Sequence, residues 1–187
     1  MRKRRLFPFL SVGLLAALAC DDDPVAETNV VVVTLGGIKE NDIRSGVIEE
    51  SKGISTQTGN PYNQFIQTAR ARLGGNPGRI DVTAVSFTLD ADSRGVASFA
   101  DLFTAQVDVF FDAGSAGGTV NVGRVNAPTG TGPVNCELVA DEYELAPIQD
   151  ALLGGNFRVG IRGMTNRLTT DNFEARINIR LGFAAYR

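Results

Sequence analysis

The chain has 187 residues, no histidine, no tryptophan and two cysteines, and its 18 basic and 21 acidic side chains give a formal charge of −3. Without histidine there is no Ser-His-Asp or Cys-His arrangement, no usual base for neutral pH and no imidazole metal ligand. Two cysteines are too few for a thiolate zinc or iron–sulfur site, and no G-x-x-x-x-G-K phosphate loop is present.

Taken in chain order, the first element is not part of a fold. Arg2, Lys3, Arg4 and Arg5 precede an apolar run over residues 6–19. That run is shorter than the ~20 residues a membrane-spanning helix needs, and matches the apolar region of an export signal. The following Leu14-Leu15-Ala16-Ala17-Leu18-Ala19-Cys20 resembles the lipobox of bacterial lipoproteins. Ala19 fits that pattern, whereas Ala17 and Leu18 invert its common order, and Ala17-Leu18-Ala19 also reads as an A-x-A cleavage site. Both readings cut before Cys20. Lipidation is preferred because Asp21-Asp22-Asp23-Pro24 reads as a solvated tether after the cysteine. The resemblance implies a signal peptide over 1–19, lipidated Cys20 and a tether over 20–27, and one domain over 28–187. It also implies a protein held by its acyl chains in the bacterial cell envelope, facing the periplasm or the cell surface.

Loss of residues 1–19 removes four cations, leaving 14 basic against 21 acidic side chains, or −7, over 168 residues. That length suits a single core, and the acidic balance argues against nucleic acid as a partner. If Cys20 is acylated, Cys136 stands alone as a small buried hydrophobe; if not, a Cys20–Cys136 bridge stays open.

Residues 30–35 are almost continuously aliphatic and predict a strand buried on both faces, with Gly36-Gly37 as the turn after it. A further strand is expected over 43–48. Asn60 as cap, Pro61 at the first position, Tyr62, Phe65, Ile66, Ala69 and Leu73 at helical spacing, and Gly74 as stop predict one amphipathic helix. Asn76-Pro77-Gly78 turns into residues 80–89, apolar at both parities and again read as buried on both faces. A helical turn is expected over 99–103, then an alternating strand over 105–111 whose polar face Phe110 interrupts. Strands over 119–125 and 136–142 flank the loop Thr129-Gly130-Thr131-Gly132-Pro133, and a short helix is expected over 146–153. Phe157, Val159 and Ile161 alternate with polar residues, as do Phe173, Ala175, Ile177, Ile179, Leu181 and Phe183. Seven or eight such strands predict an all-β fold, a β-sandwich of jelly-roll-like or Ig-like type with one short amphipathic helix. The alternative arrangement of the same strands is a small outer-membrane barrel.

Carboxylates carry the remaining chemistry. Asp90-Ala91-Asp92-Ser93-Arg94-Gly95, with Asp101 further on, places acids at positions 1, 3 and 12 and glycine at 6 of a calcium loop. Arg94 occupies the place of a third oxygen ligand, Asp101 replaces the bidentate Glu, and strands flank the segment, so the preferred reading is a polar turn. A hydrolase built from carboxylates alone requires two facing acids, which sequence spacing does not reveal. The expectation is therefore no cofactor and no catalytic residue: a lipid-anchored module for binding, adhesion or assembly, with an envelope protein or glycan as partner.

Overall fold

The computed structural model describes residues 23–54, 59–168 and 170–187, without the side chain of Ala116. The export signal, the lipobox and Cys20 lie outside the described residues. Ten strands form two antiparallel sheets that do not close into a barrel. The four-stranded sheet runs β1 (Ala26–Lys39), β10 (Glu174–Tyr186), β4 (Arg79–Leu89), β7 (Val134–Asn135). The six-stranded sheet runs β2 (Ile43–Arg44), β3 (Val47–Gly53), β9 (Arg158–Met164), β5 (Val107–Asp112), β6 (Thr119–Val125), β8 (Glu137–Leu138). The fold is a β-sandwich, as the alternation predicts.

The apolar parity of each strand faces inward. Ile177, Ile179, Leu181 and Phe183 of β10 are fully buried, as are Val159 and Ile161 of β9 in the opposite sheet. Phe111 of β5 lies across from Phe183 with ring centroids 6.0 Å apart. Gly123 of β6 allows a close approach to β4 of the other sheet. A Cβ there meets Val85 Cγ1 of β4 at 2.9 Å, so a side chain would wedge the sheets apart.

Two strand expectations are corrected. β1 is a sheet edge rather than an interior strand: Val31, Val33 and Leu35 are buried, but Val30 and Val32 are 49% and 50% exposed. Four successive valines therefore report high β-propensity and not burial on two faces. β4 is interior, yet it too buries one face. Its register against β10 slips between Gly182 and Phe183, skipping Thr83. The buried parity then changes from Ile80 and Val82 to Val85, Phe87 and Leu89, and this bulge places apolar residues at both parities.

Smaller differences have similar causes. Gly36-Gly37 is no turn but part of a bulge inside β1, between Leu35 and Ile38, with Gly37 at φ +78°. The 43–48 segment is a hairpin of β2 and β3, turned by Ser45 and Gly46 at φ +53° and +75°. The two positive φ values suit a turn that follows the strand twist. The 136–142 segment begins as a crossing between sheets, β7 to β8, with the Cys136 amide bonded to the Val85 carbonyl at 2.9 Å. β1 begins at Ala26, within the span 20–27 expected as a tether.

Helices and turns plug both ends of the sandwich. Helix α1 (Pro61–Leu73) is capped as its sequence predicts: the Asn60 carboxamide oxygen accepts the Tyr62 amide at 2.9 Å, and Gly74 closes it at φ +69°. Its Tyr62 ring sits 4.9 Å from Phe183 and 5.3 Å from Phe157. The expected second helix is split. It starts four residues early as α2 (Glu142–Leu145), passes through a 3-10 turn at Ala146–Ile148, and continues as α3 (Gln149–Gly154). The Tyr62 hydroxyl donates to the Leu152 carbonyl at 2.7 Å, tying α1 to α3, and burial raises its pKa far above the phenol range. At the opposite end the 3-10 turn Phe99–Asp101 inserts Phe99 edge-on against Phe87 at 4.8 Å, with Leu102 and Phe103 also buried.

Candidate functional site

Because both ends of the space between the sheets are filled by side chains, ligand contact falls to the outer faces and the loops. The two outer faces are built differently.

On the six-stranded sheet, register aligns Glu49, Arg162, Asp108, Arg124 and Glu137 in one row across five strands. Charge alternates at every step. Arg124 Nε lies 2.9 Å from Asp108 Oδ1, and Arg162 Nη1 lies 3.7 Å from Glu49 Oε2. Each exposed cross-strand pair contributes roughly 0.2–1 kcal/mol, and the two pairs leave Glu137 at the end of the row as its one surplus charge. Phe110, which breaks the polar pattern of β5, is 3% exposed although it belongs to this outer face. Its ring lies over Gly160, where a Cβ would come within 2.3 Å of it, and under the Arg162 guanidinium at 5.6 Å. The glycine and the arginine together bury a phenylalanine outside the core.

The four-stranded sheet presents the opposite chemistry. One row reads Val32, Arg180, Ser86, Asn135; the next reads Thr34, Asn178, Thr88. Gly182 and Ala84 complete a shallow depression of about 490 Å³, bounded by Pro133 and Asn29. Arg180 is the one charge in its lining, and it makes no ion pair or hydrogen bond among the described residues. Thr34 donates to Asn178 Oδ1 at 2.7 Å, and Asn178 Nδ2 donates to Asp90 Oδ2 at 2.8 Å, so that amide is held in one orientation. Within the depression, amides, hydroxyls and the exposed Val32 offer hydrogen bonds and apolar contact, with Asp90 and Arg176 at its edge. Sequence pattern missed this face because its polar residues read as ordinary solvated strand positions.

The calcium-spaced acids lie in the loops beyond β4, where Asp90 meets the edge of the depression through Asn178, and they are engaged with their own backbone. Asp90 Oδ1 accepts the Asp92 amide at 2.9 Å, while Asp101 Oδ2 accepts the Ala97 and Ser98 amides at 2.8 and 3.0 Å. These amide bonds hold both carboxyls below the usual aspartate range. Asp92 lies 3.7 Å from Arg176, and Arg94 bonds Glu174 through the backbone in both directions. Among the described residues no three acids or cysteines cluster as a metal site.

Two other titratable groups are displaced by burial. Cys136 is half-buried, and desolvation, with Asp108 adding repulsion, pushes its thiol up to about 12. That favours the neutral thiol. Asp81 is raised by burial, against the lowering effect of Arg79, with Glu142 adding repulsion. Arg79 Nε lies 3.2 Å from Asp81 Oδ2 at an angle too skewed for a hydrogen bond, and Arg79 also pairs with Glu142. Its guanidinium lies over the Tyr186 ring at 4.3 Å, so the two carboxylates flank a structural cation.

Fold and surface together define a two-sheet β-sandwich domain with an alternating row of charges on one face and, on the other, a depression lined by a single charge, Arg180. Comparison with protein-family models returned no match. Comparison with curated proteins returned none either. No helix among the described residues is long and apolar enough to cross a membrane.

Proposed function

We propose that this protein is a non-catalytic, lipid-anchored module of the bacterial cell envelope that binds an envelope protein or glycan through the outer face of its four-stranded sheet. The supporting observation is the contrast between the faces. In a mature chain of charge −7, the six-stranded face sets its charges in an alternating row, whereas the depression on the four-stranded face is lined by Arg180 alone among small amides, hydroxyls and the exposed Val32. A shallow hydrogen-bonding surface of low charge suits a polar partner of extended shape.

Two variants test the two halves of this reading. Cys20→Ser removes the acylation site, and the protein should leave the membrane fraction, because the acyl chains and not the folded domain hold it there. Retention after a salt wash would refute the anchor. Ala84→Glu puts a charge in the middle of the depression, while Thr119→Glu does the same on the six-stranded sheet as a control. Crosslinked capture from intact envelopes should recover a partner with the wild-type and Thr119→Glu proteins and lose it with Ala84→Glu. Equal recovery of that partner by Ala84→Glu would exclude this face.

A further inference from the structure

We infer that the end of the sandwich carrying α2 rests on the bilayer surface, with the Tyr143 ring in a zwitterionic headgroup layer. The inference builds on acylation of Cys20. β1 starts at Ala26, which pairs with Ala185 of β10, and the Val25 carbonyl just before it accepts Arg72 Nη1 of α1 at 2.6 Å. The chain is thus fastened to the fold six residues after Cys20. Six residues reach at most about 20 Å when fully extended. An acylated Cys20 in the membrane therefore confines this end of the domain to the headgroup region or its immediate neighbourhood.

The same end presents an aromatic residue of the right kind. Tyr143 is 77% exposed, the most exposed of the large apolar side chains among the described residues. Its helix is nevertheless rigidly placed. The Asp141 carboxylate accepts the Tyr143 and Glu144 amides at 2.8 and 3.2 Å, and Glu144 accepts the Asp141 amide in return at 3.1 Å. Glu142 is pinned by Arg79, whose register partner is Tyr186 at the end of β10. Tyr143 is therefore held outward beside the point where the tether joins the fold. A tyrosine ring with an apolar body and a polar tip is stabilised at the membrane–water boundary. With Glu142 paired to Arg79, Glu144 and the −7 balance of the acylated chain disfavour anionic lipid and suit the ammonium groups of zwitterionic headgroups. In this pose β1 and β10 rise from the membrane, and the loops beyond β4 and β9 point away from it.

The absence of tryptophan makes the test direct. Tyr143→Trp and, at the opposite end, Leu168→Trp, which replaces a side chain 63% exposed, each create a single tryptophan, excited beyond the tyrosine absorption band, in the full-length lipidated chain. Both are reconstituted into phosphatidylcholine–phosphatidylethanolamine vesicles, with and without brominated acyl chains. Tyr143→Trp should shift to shorter wavelength and lose about half or more of its emission to bromine, since interfacial aromatics sit at the headgroup–acyl boundary. Leu168→Trp should do neither. Water-like, unquenched emission from Tyr143→Trp in protein that stays with the vesicles would overturn the docking and leave the anchor intact. Quenching of Leu168→Trp instead would overturn the orientation. Release of the unsubstituted protein from the vesicles by salt would remove the anchor, and the docking with it.

Discussion

Phe183 is where the two sheets and α1 meet, and its truncation measures how far that junction is load-sharing. The side chain is fully buried, with ring centroids 4.9 Å from Tyr62, 6.1 Å from Phe65 and 6.0 Å from Phe111. Phe183→Ala deletes a ring contacted from α1, from β5 and from within its own sheet. A buried Phe→Ala change costs about 3–5 kcal/mol, and the cost is highest where the surroundings cannot collapse into the cavity. Here the ring neighbours belong to two elements, each fixed elsewhere: α1 by the Tyr62 bond to Leu152 and β5 by pairing on both edges. The upper part of that range is expected, about 4–5 kcal/mol, a large share of the ~5–15 kcal/mol that stabilises a typical domain. In urea, with a slope of about 2 kcal/mol/M, the unfolding midpoint should fall by about 2 M, followed by far-ultraviolet circular dichroism at 25 °C. Phe183→Leu, which keeps most of the volume, should lose less than about 1.5 kcal/mol. A loss below about 2 kcal/mol for Phe183→Ala would mean that α1 settles into the void and does not act as a fixed plug.

Two further outcomes follow from the loops beyond β4. Calcium at a hundred times its dissociation constant would stabilise a binding loop by ~2.7 kcal/mol, but Asp90 and Asp101 already spend oxygens on backbone amides, so no shift in melting temperature is expected. A calcium-dependent rise that disappears in Asp90→Asn would refute this. Asp90, Asp101 and Glu174 have folded pKa values below their ordinary ones, the first two through amide bonds and Glu174 through Lys39. Their contribution is therefore present above the unfolded values of ~3.9 to ~4.3 and is lost as pH falls through them toward the folded values. Melting temperature should drop between about pH 5 and about pH 3, and Asp101→Asn should flatten that drop; an unchanged slope in the variant would assign the acid sensitivity elsewhere.

Local signals were sufficient wherever one residue's chemistry decides the outcome. Asn60, Pro61 and Gly74 delimit α1 because capping and left-handed closure involve only neighbouring backbone. The inward faces of β9 and β10 follow from side-chain alternation, which is a property of any extended chain. What lay beyond the sequence depends on which strand lies next to which. Val30 and Val32 are exposed because the outer face of the four-stranded sheet is uncovered, and nothing in four consecutive valines says whether a second layer covers that face. The single-face burial of β4 depends on a bulge opposite Gly182, a feature of pairing across a hundred residues of chain. The same holds for function. Glu49, Arg162, Asp108, Arg124 and Glu137 are scattered acids and bases until register sets them in one alternating row. Arg180 is one arginine among many until that register leaves it the single charge lining the depression on the opposite face. Local periodicity determines which side of a strand is apolar; only strand pairing decides which charges cancel and which surface remains open.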